Sequence, residues 1–137
     1  MQTAPQSCQI DIRVRYAEVD RMGSLHHSSY WVYFEMGRTE LLRSAGVHYS
    51  DLENQGVLFV VARCRAEYHY PARYDEVLTV TTRLGNVGQA KIEHEYELRR
   101  KDDGRLLATA STTLACVNRE GQVMPIPEAI RCAMEPG

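Results

Sequence analysis

Only one segment of this 137-residue chain has the pattern of a long helix, and most of the chain around it alternates as strands do. Its apolar and small side chains recur every three or four residues, which places them on one helix face: Tyr30, Tyr33, Phe34, Gly37, Leu41 and Ala45. The predicted helix runs from Ser28 to Ala45 and ends at Gly46, a residue that readily takes the left-handed conformation at a helix C-terminus. A helix of that length needs a wide sheet to cover its apolar face.

Five segments alternate with the period of two that is typical of half-buried strands. One precedes the helix and four follow it, at residues 10–16, 58–70, 77–84, 91–100 and 106–117. The gaps between the last three contain Gly85, Gly88 and the run Asp102-Asp103-Gly104, and they suit hairpins but are too short for parallel crossovers. The sequence therefore predicts an α+β fold, an antiparallel sheet of about five strands around one central helix, in a single domain over residues 1–137.

Charge and hydropathy narrow the classes of partner. The formal net charge is -2 and the lysines and arginines form no extended cluster, which argues against nucleic acid as a partner. The longest apolar runs fall far short of the ~20 residues that span a bilayer, and no secretory signal is recognisable. We therefore expect a soluble cytoplasmic protein that acts on small molecules and does not insert into a membrane.

The four cysteines lie far apart, and no two have the CxxC spacing of many zinc and redox sites: Cys8, Cys64, Cys116 and Cys132. Three of the four alternate with apolar or small residues, as in the interior of a strand or helix. Free thiols in a reducing compartment fit this pattern better than disulfides or zinc ligands.

One carboxylate, Asp20, stands beside a glycine turn at Gly23, immediately before the predicted start of the helix. A helix N-terminus presents unpaired N–H groups and a partial positive charge, so an acid held there can act on a carbonyl that those amides polarise. This arrangement predicts an acyl-transfer site. The alternative is an aspartate that only satisfies a backbone donor in a turn. An ionised aspartate can activate water or attack the acyl carbon itself, and the sequence does not choose between these routes.

The adjacent histidines His26 and His27 raise the question of a metal site. We predict none, because neighbouring histidines are expected to point in different directions and no cysteine or carboxylate lies at ligand spacing on the same element. For His27 the backbone amide matters more to the predicted site than the imidazole. The imidazole could position substrate or water, or it could simply pack at the helix start. Glu35 and Arg38 are three residues apart, and we expect structural support from both.

Several widely spaced positions together resemble one enzyme family. They are Tyr16, Asp20, Gly23, His27, Tyr30, Phe34, Glu35 and Arg38, then Tyr70-Pro71-Ala72, Tyr74-Asp75, Asp103-Gly104 and Ile126-Pro127. This set resembles the hotdog-fold thioesterases of the 4-hydroxybenzoyl-CoA thioesterase family, and most closely their Tol-Pal-associated acyl-CoA thioesterase branch.

The resemblance implies hydrolysis of an acyl-CoA thioester to free acid and CoA. Asp20 would be the catalytic carboxylate and the amide at His27 would donate to the thioester oxygen, with Tyr16, Gly23 and Tyr30 in contact with substrate. No cofactor or metal is implied. The family's sites lie between two subunits and its dimers commonly pair into tetramers, so a homodimer or homotetramer is expected.

Cations are needed for the phosphates of CoA. Arg63 and Lys91 are the first candidates, and Arg65, Arg83 and Arg99 are further ones, although a solvated strand face is the better explanation for any single residue among them. Lys91 follows Gly88-Gln89-Ala90, where the resemblance leads one to expect a basic cluster. Two alternatives to acyl-CoA hydrolysis stay open, and the missing basic cluster favours only the first. One is a thioesterase that acts on acyl carrier protein in a biosynthetic pathway, and the other is a non-catalytic module that binds acyl-CoA.

Overall fold

A computed structural model describes residues 7–134, and these form one antiparallel sheet with helices against it. The five strands are β1 Ser7–Arg13, β2 Leu58–Tyr68, β3 Val77–Val87, β4 Lys91–Arg100 and β5 Leu106–Val117. Their order across the sheet is β1-β3-β4-β5-β2, and every neighbouring pair is antiparallel. The predicted α+β class, the strand count and the antiparallel pairing are confirmed.

The long helix predicted from periodicity is α1, His27–Ser44, which lies within one residue of its expected bounds at each end. It packs mainly against β3 and β1. Two shorter helices follow, α2 Tyr49–Asn54 and α3 Glu128–Met134. The sequence reading missed α2, because six residues with a single buried side chain, Leu52, are too few to show a helical period.

The first strand lies three residues earlier than predicted, since it runs from Ser7 to Arg13 instead of over residues 10–16, and Tyr16 begins a 3-10 turn, Tyr16–Glu18. The prediction that this strand extends to Tyr16, based on the alternation of Val14 and Tyr16 with polar residues, is therefore wrong. Val14 is buried, but its N–H bonds to the carbonyl of Glu76, outside the β1–β3 ladder, and the chain turns away from the sheet there. This turn carries the chain to the start of α1.

The interior is divided into two clusters along α1. The first surrounds the N-terminal half of the helix and includes Tyr30, Tyr33, Phe34, Leu78, Val80, Tyr96 and Leu98. The second lies towards its C-terminal end and joins α2 and α3 to the sheet through Leu42, Leu52, Ile92, Cys116, Ile126 and Ile130. Each large apolar side chain that is fully buried contributes about 1.5–3 kcal/mol relative to exposure, so both ends of α1 are held against the sheet.

Gly37 marks the closest approach of α1 to the sheet. A Cβ at this position would lie 2.3 Å from Oγ1 of Thr82 and 3.1 Å from Cγ1 of Val80, both on β3. Only glycine avoids these contacts while the helix keeps its distance. The carbonyl of Gly37 also accepts a hydrogen bond from the thiol of Cys8 on β1, at 3.4 Å.

His94, on β4, is a buried titratable side chain that lies beside residues of the second cluster, among them Leu42 and Ile92. It is 5% exposed, and its Nδ1 atom has no hydrogen-bond partner within residues 7–134. It borders a cavity of about 20 Å³, lined otherwise mostly by apolar side chains such as Leu41 and Ile92, which is room for about one water molecule. Burial, with a smaller contribution from the charge of Arg38, lowers the pKa of His94 from 6.5 to about 4. The imidazole is therefore neutral at pH 7.

We expect Gly37→Ala to destabilise the fold. The clash with Thr82 costs ~1–3 kcal/mol as overpacking, which outweighs the ~1 kcal/mol that alanine gains over glycine in a helix. Urea denaturation measures the difference. The double variant Gly37→Ala with Thr82→Ala should recover most of the loss, because it removes the oxygen that the methyl group meets; equal loss in both variants would contradict this account.

We expect His94 to make the fold sensitive to acid. Because its pKa is lowered in the folded state, the unfolded chain takes up a proton first, so this contribution to stability is full above about pH 6.5 and is lost as the pH falls towards 4, by at most about 3 kcal/mol. Calorimetric melting temperatures between these pH values should fall less in His94→Leu than in the wild type. His48→Gln, at an exposed histidine, is the control and should melt with the wild-type pH dependence.

Candidate active site

Asp20 lies in a tight loop that leads directly into α1. The carbonyl of Glu18 accepts a hydrogen bond from the N–H of His26 at 2.8 Å, which closes the base of this loop. Inside it the N–H of Asp20 donates to the carbonyl of Ser24 at 2.8 Å, and Gly23 has a φ of 79°. That left-handed conformation favours glycine, so Gly23 has a conformational role in the turn.

The carboxylate of Asp20 is held by the backbone of its own loop. Its Oδ1 accepts hydrogen bonds from the N–H groups of Met22 at 2.9 Å and Ser24 at 3.1 Å, and the side chain is exposed. One oxygen of Asp20 therefore satisfies backbone donors in a turn, which was the alternative role considered from the sequence. The other oxygen, Oδ2, has no donor within the described part of the chain, and it is free to act on water or substrate.

Among the residues that the structure describes, the amide of the first helical residue of α1 has no acceptor. The N-cap is His26, whose Nδ1 accepts from the N–H of Ser28 at 3.2 Å, and the carbonyl of His26 accepts from Ser29 at 2.9 Å. No acceptor among residues 7–134 takes the N–H of His27, the first helical residue. His27 as a whole is exposed, and its unpaired amide can polarise a bound carbonyl.

The two histidine rings stack, with centroids 4.3 Å apart and planes 30° apart, so the expectation that they point in different directions was wrong. Within the part of the chain that the structure covers, no three His, Cys, Asp or Glu side chains are grouped closely enough to hold a metal ion. No helix of residues 7–134 is both long and apolar enough to cross a membrane.

An aromatic groove of about 280 Å³ opens beside the start of α1, and its lining includes Leu25, His27, Tyr30, Tyr68 and His69. The ring of Tyr30 is buried and meets Tyr68 edge to face, with centroids 4.9 Å apart. Asp20 does not line the groove within the single chain. Leu25, which lines the groove, is also the last residue of the Asp20 loop, so the loop leads directly to the groove along the chain.

The remaining predicted residues fall into two groups. Tyr16 is 78% exposed and meets Tyr74 edge to face at 5.6 Å, and the N–H of Tyr74 bonds to the carbonyl of Gly23, so Tyr16 lies near the Asp20 loop. Tyr30 lines the groove. Arg63 lies in the middle of β2 and Lys91 at the start of β4, and both are exposed. Neither of these two cations lines the groove.

Two other cations do lie at the site, and sequence reasoning missed their relation to it. Arg73 donates to the carbonyl of Met22 at 3.3 Å and to Oγ of Ser24 at 3.4 Å, directly behind the Asp20 loop. The guanidinium of Arg105 lies over the ring of Tyr70, which also lines the groove, 3.3 Å from the ring centroid. Both contacts join segments distant in the chain, so no local pattern could have indicated them.

Comparison with known proteins identifies the family. Residues 14–134 match the model of the Thioesterase-like superfamily. The acyl-CoA thioesterase YbgC of Haemophilus influenzae is 33% identical over 125 residues, which are 89% of this chain and 90% of the relative. The chain therefore belongs to the thioesterase-like superfamily, and the resemblance seen in the sequence is confirmed.

Solved structures agree with this assignment. Protein TT1821 from Thermus thermophilus is 38% identical with a TM-score of 0.87, over 93% of this chain and 95% of that chain. The DHNA-CoA thioesterase from Staphylococcus aureus is 31% identical with a TM-score of 0.81, over 88% of this chain and 79% of that chain. The fold is the hotdog fold of these thioesterases.

Proposed function

We propose that this protein hydrolyses the thioester of an acyl-CoA to a free acid and CoA. The observation that carries the proposal is an exposed carboxylate, Asp20, oriented by two backbone amides in a loop that runs into a helix whose first N–H, at His27, is unpaired. Relatives named as acyl-CoA and DHNA-CoA thioesterases support the choice of a CoA thioester.

Both catalytic routes use the same two groups. In the first, Oδ2 of Asp20 takes a proton from water as the water oxygen attacks the acyl carbon, and the carbonyl oxygen becomes an anion beside the N–H of His27. The carbon–sulfur bond then breaks and the proton passes to the thiolate. In the second, Oδ2 attacks the acyl carbon itself, the thiolate leaves, and water hydrolyses the resulting anhydride.

A second copy of the chain is part of the proposal. The outer edge of β2 pairs with no strand of residues 7–134, and Val60 and Val61 on it are 46% and 50% exposed. An unpaired apolar edge is a template for another strand. We infer a homodimer that pairs β2 with the partner's β2 and completes each site across the interface, with dimers associating into tetramers.

The proposed dimer also bears on the role of Arg63 and Lys91, which do not line the groove. Arg63, near the middle of β2, is close to the proposed two-fold axis, and we keep Arg63 and Lys91 as proposed contacts for the CoA phosphates. Arg73 is a further candidate, because it lies beside the Asp20 loop of the same chain. The four cysteines are free, which supports a reducing compartment, and we propose the cytoplasm.

Asp20→Asn should fold normally and lose ~10²-fold or more in kcat for acyl-CoA hydrolysis. The asparagine Oδ1 can still accept from Met22 and Ser24, so the loop is kept while the charge is removed. Thiol release from aliphatic and aromatic acyl-CoA, with circular dichroism as the control for folding, measures the effect. Unchanged turnover would end the proposed role of Asp20.

The same assay separates the alternatives. Hydrolysis of acyl carrier protein thioesters with little turnover of acyl-CoA would favour carrier-linked substrates. Binding of acyl-CoA without turnover, in the wild type and in Asp20→Asn alike, would identify a non-catalytic module.

Val61→Lys should weaken the proposed dimer, because a charge at an unpaired strand edge opposes pairing. Sedimentation should show a shift towards monomer together with a loss of thioesterase activity. Val123→Lys changes a valine that is 66% exposed and lies outside β2, and it should leave both unchanged. A wild-type protein that is active as a monomer would contradict the interface model.

A further inference from the structure

A second carboxylate, Glu18, lies two residues before Asp20 and is only 9% exposed. Its Oε1 accepts hydrogen bonds from the hydroxyl of Tyr33 at 2.7 Å and from the N–H of Arg15 at 2.9 Å. Its Oε2 accepts from the guanidinium of Arg15 at 3.1 Å. Both oxygens are therefore satisfied, as a buried carboxylate requires.

The carboxylate of Glu18 stays ionised despite its position. Burial alone would raise its pKa, but the hydrogen bonds from Arg15 and Tyr33 outweigh burial and hold the pKa below its usual range. Burial, together with the bond to Glu18, raises the pKa of Tyr33, so the phenol stays protonated and donates. The result is a charge-assisted hydrogen bond, stronger than one between neutral groups.

This hydrogen bond links the Asp20 loop to the helix that carries the His27 amide. The carbonyl of Glu18 closes the base of the loop through His26, and Tyr33 lies on α1, six residues after His27 and 1% exposed. The contacts of the Asp20 carboxylate, in contrast, remain within its own loop.

The far side of the loop is attached to a different segment. The N–H of Leu25 bonds to the carbonyl of Ala72 at 2.8 Å, and the N–H of Tyr74 to the carbonyl of Gly23 at 3.2 Å. These bonds fix the loop against residues 72–74. The position of the loop relative to α1 therefore depends on the contacts of Glu18.

A contribution to stability does not by itself explain a buried carboxylate such as Glu18. A buried carboxylate loses hydration, and replacing buried ion pairs by apolar side chains of similar volume is often neutral or stabilising. A directional bond does what apolar packing does not, because it fixes the separation and angle of the two elements that it joins.

We propose that Glu18 and Tyr33 are positioning residues, which hold the Asp20 loop at a fixed orientation to the first N–H of α1. The inference rests on the proposed catalytic role of Asp20. Neither side chain needs to touch the substrate, since both act through the loop. A misplacement of ~1 Å between reacting groups can cost ~10²-fold in rate, so a loosened loop should lower kcat more than it changes KM.

The test compares two conservative changes at buried tyrosines. Tyr33→Phe removes the hydroxyl that bonds to Glu18, and Tyr96→Phe removes one that bonds to Thr112 at 2.6 Å, at a side chain that is 2% exposed. We expect Tyr33→Phe to lower kcat at least ~10-fold with KM nearly unchanged. Tyr96→Phe should lose about as much melting temperature as Tyr33→Phe but keep the wild-type kcat. Equal losses of kcat in both, or none in Tyr33→Phe, would overturn the proposal.

Variants at Glu18 give a second comparison. Glu18→Gln keeps an oxygen that can accept from Tyr33, whereas Glu18→Leu removes it while keeping similar volume. The glutamine variant should therefore retain much more of kcat than the leucine variant. Equal activity of the two would show that packing at this position is sufficient and would overturn the positioning role.

A readout without catalysis keeps this test separate from that of the proposed function. Hydrogen exchange of the Met22 and Ser24 amides, which Asp20 holds, should be faster in Tyr33→Phe and unchanged in Tyr96→Phe. If Asp20→Asn is fully active, the proposed function fails, and the exchange rates still show whether Glu18 and Tyr33 order the loop. Unchanged exchange in Tyr33→Phe would refute the tether itself.

Discussion

The contact of α1 with β3 at Gly37 determines where the helix can lie, because Oγ1 of Thr82 occupies the space that a side chain at position 37 would need. The two apolar clusters on either side of this contact hold both halves of the helix to the sheet. With its axis fixed in this way, the start of α1 comes to the surface beside the end of β2. The unpaired N–H of His27 and the aromatic groove therefore follow from one packing constraint.

Two carboxylates that are two residues apart have opposite environments. Asp20 is exposed and has one oxygen held by loop amides, whereas Glu18 is buried and has both oxygens held by Arg15 and Tyr33. An exposed anion can approach a substrate, and a buried one can carry a rigid connection. The difference arises from the 3-10 turn, which directs Glu18 towards α1 and leads the chain on into the Asp20 loop.

The unpaired edge of β2 connects the fold to the proposed chemistry. In a single chain neither of the predicted cations, Arg63 and Lys91, lines the groove at His27. Pairing of β2 with a second copy would continue the sheet and cover the exposed valines of this edge. In the proposed dimer it would also bring the surface of one subunit near the open groove of the other.

The sequence by itself determined the features that depend on neighbouring residues. A period of two or of three to four residues is a local signal, so the five strands, α1 and the position of Asp20 just before a helix could all be predicted, together with the family. Only the tertiary structure decided that Arg73 lies against Ser24, 49 residues away, and that the hydroxyl of Tyr33 donates to Glu18. It also decided that Tyr16 leaves the sheet and that β2 is an edge. These features depend on the order of strands and on long-range contacts, which no local pattern of residues encodes.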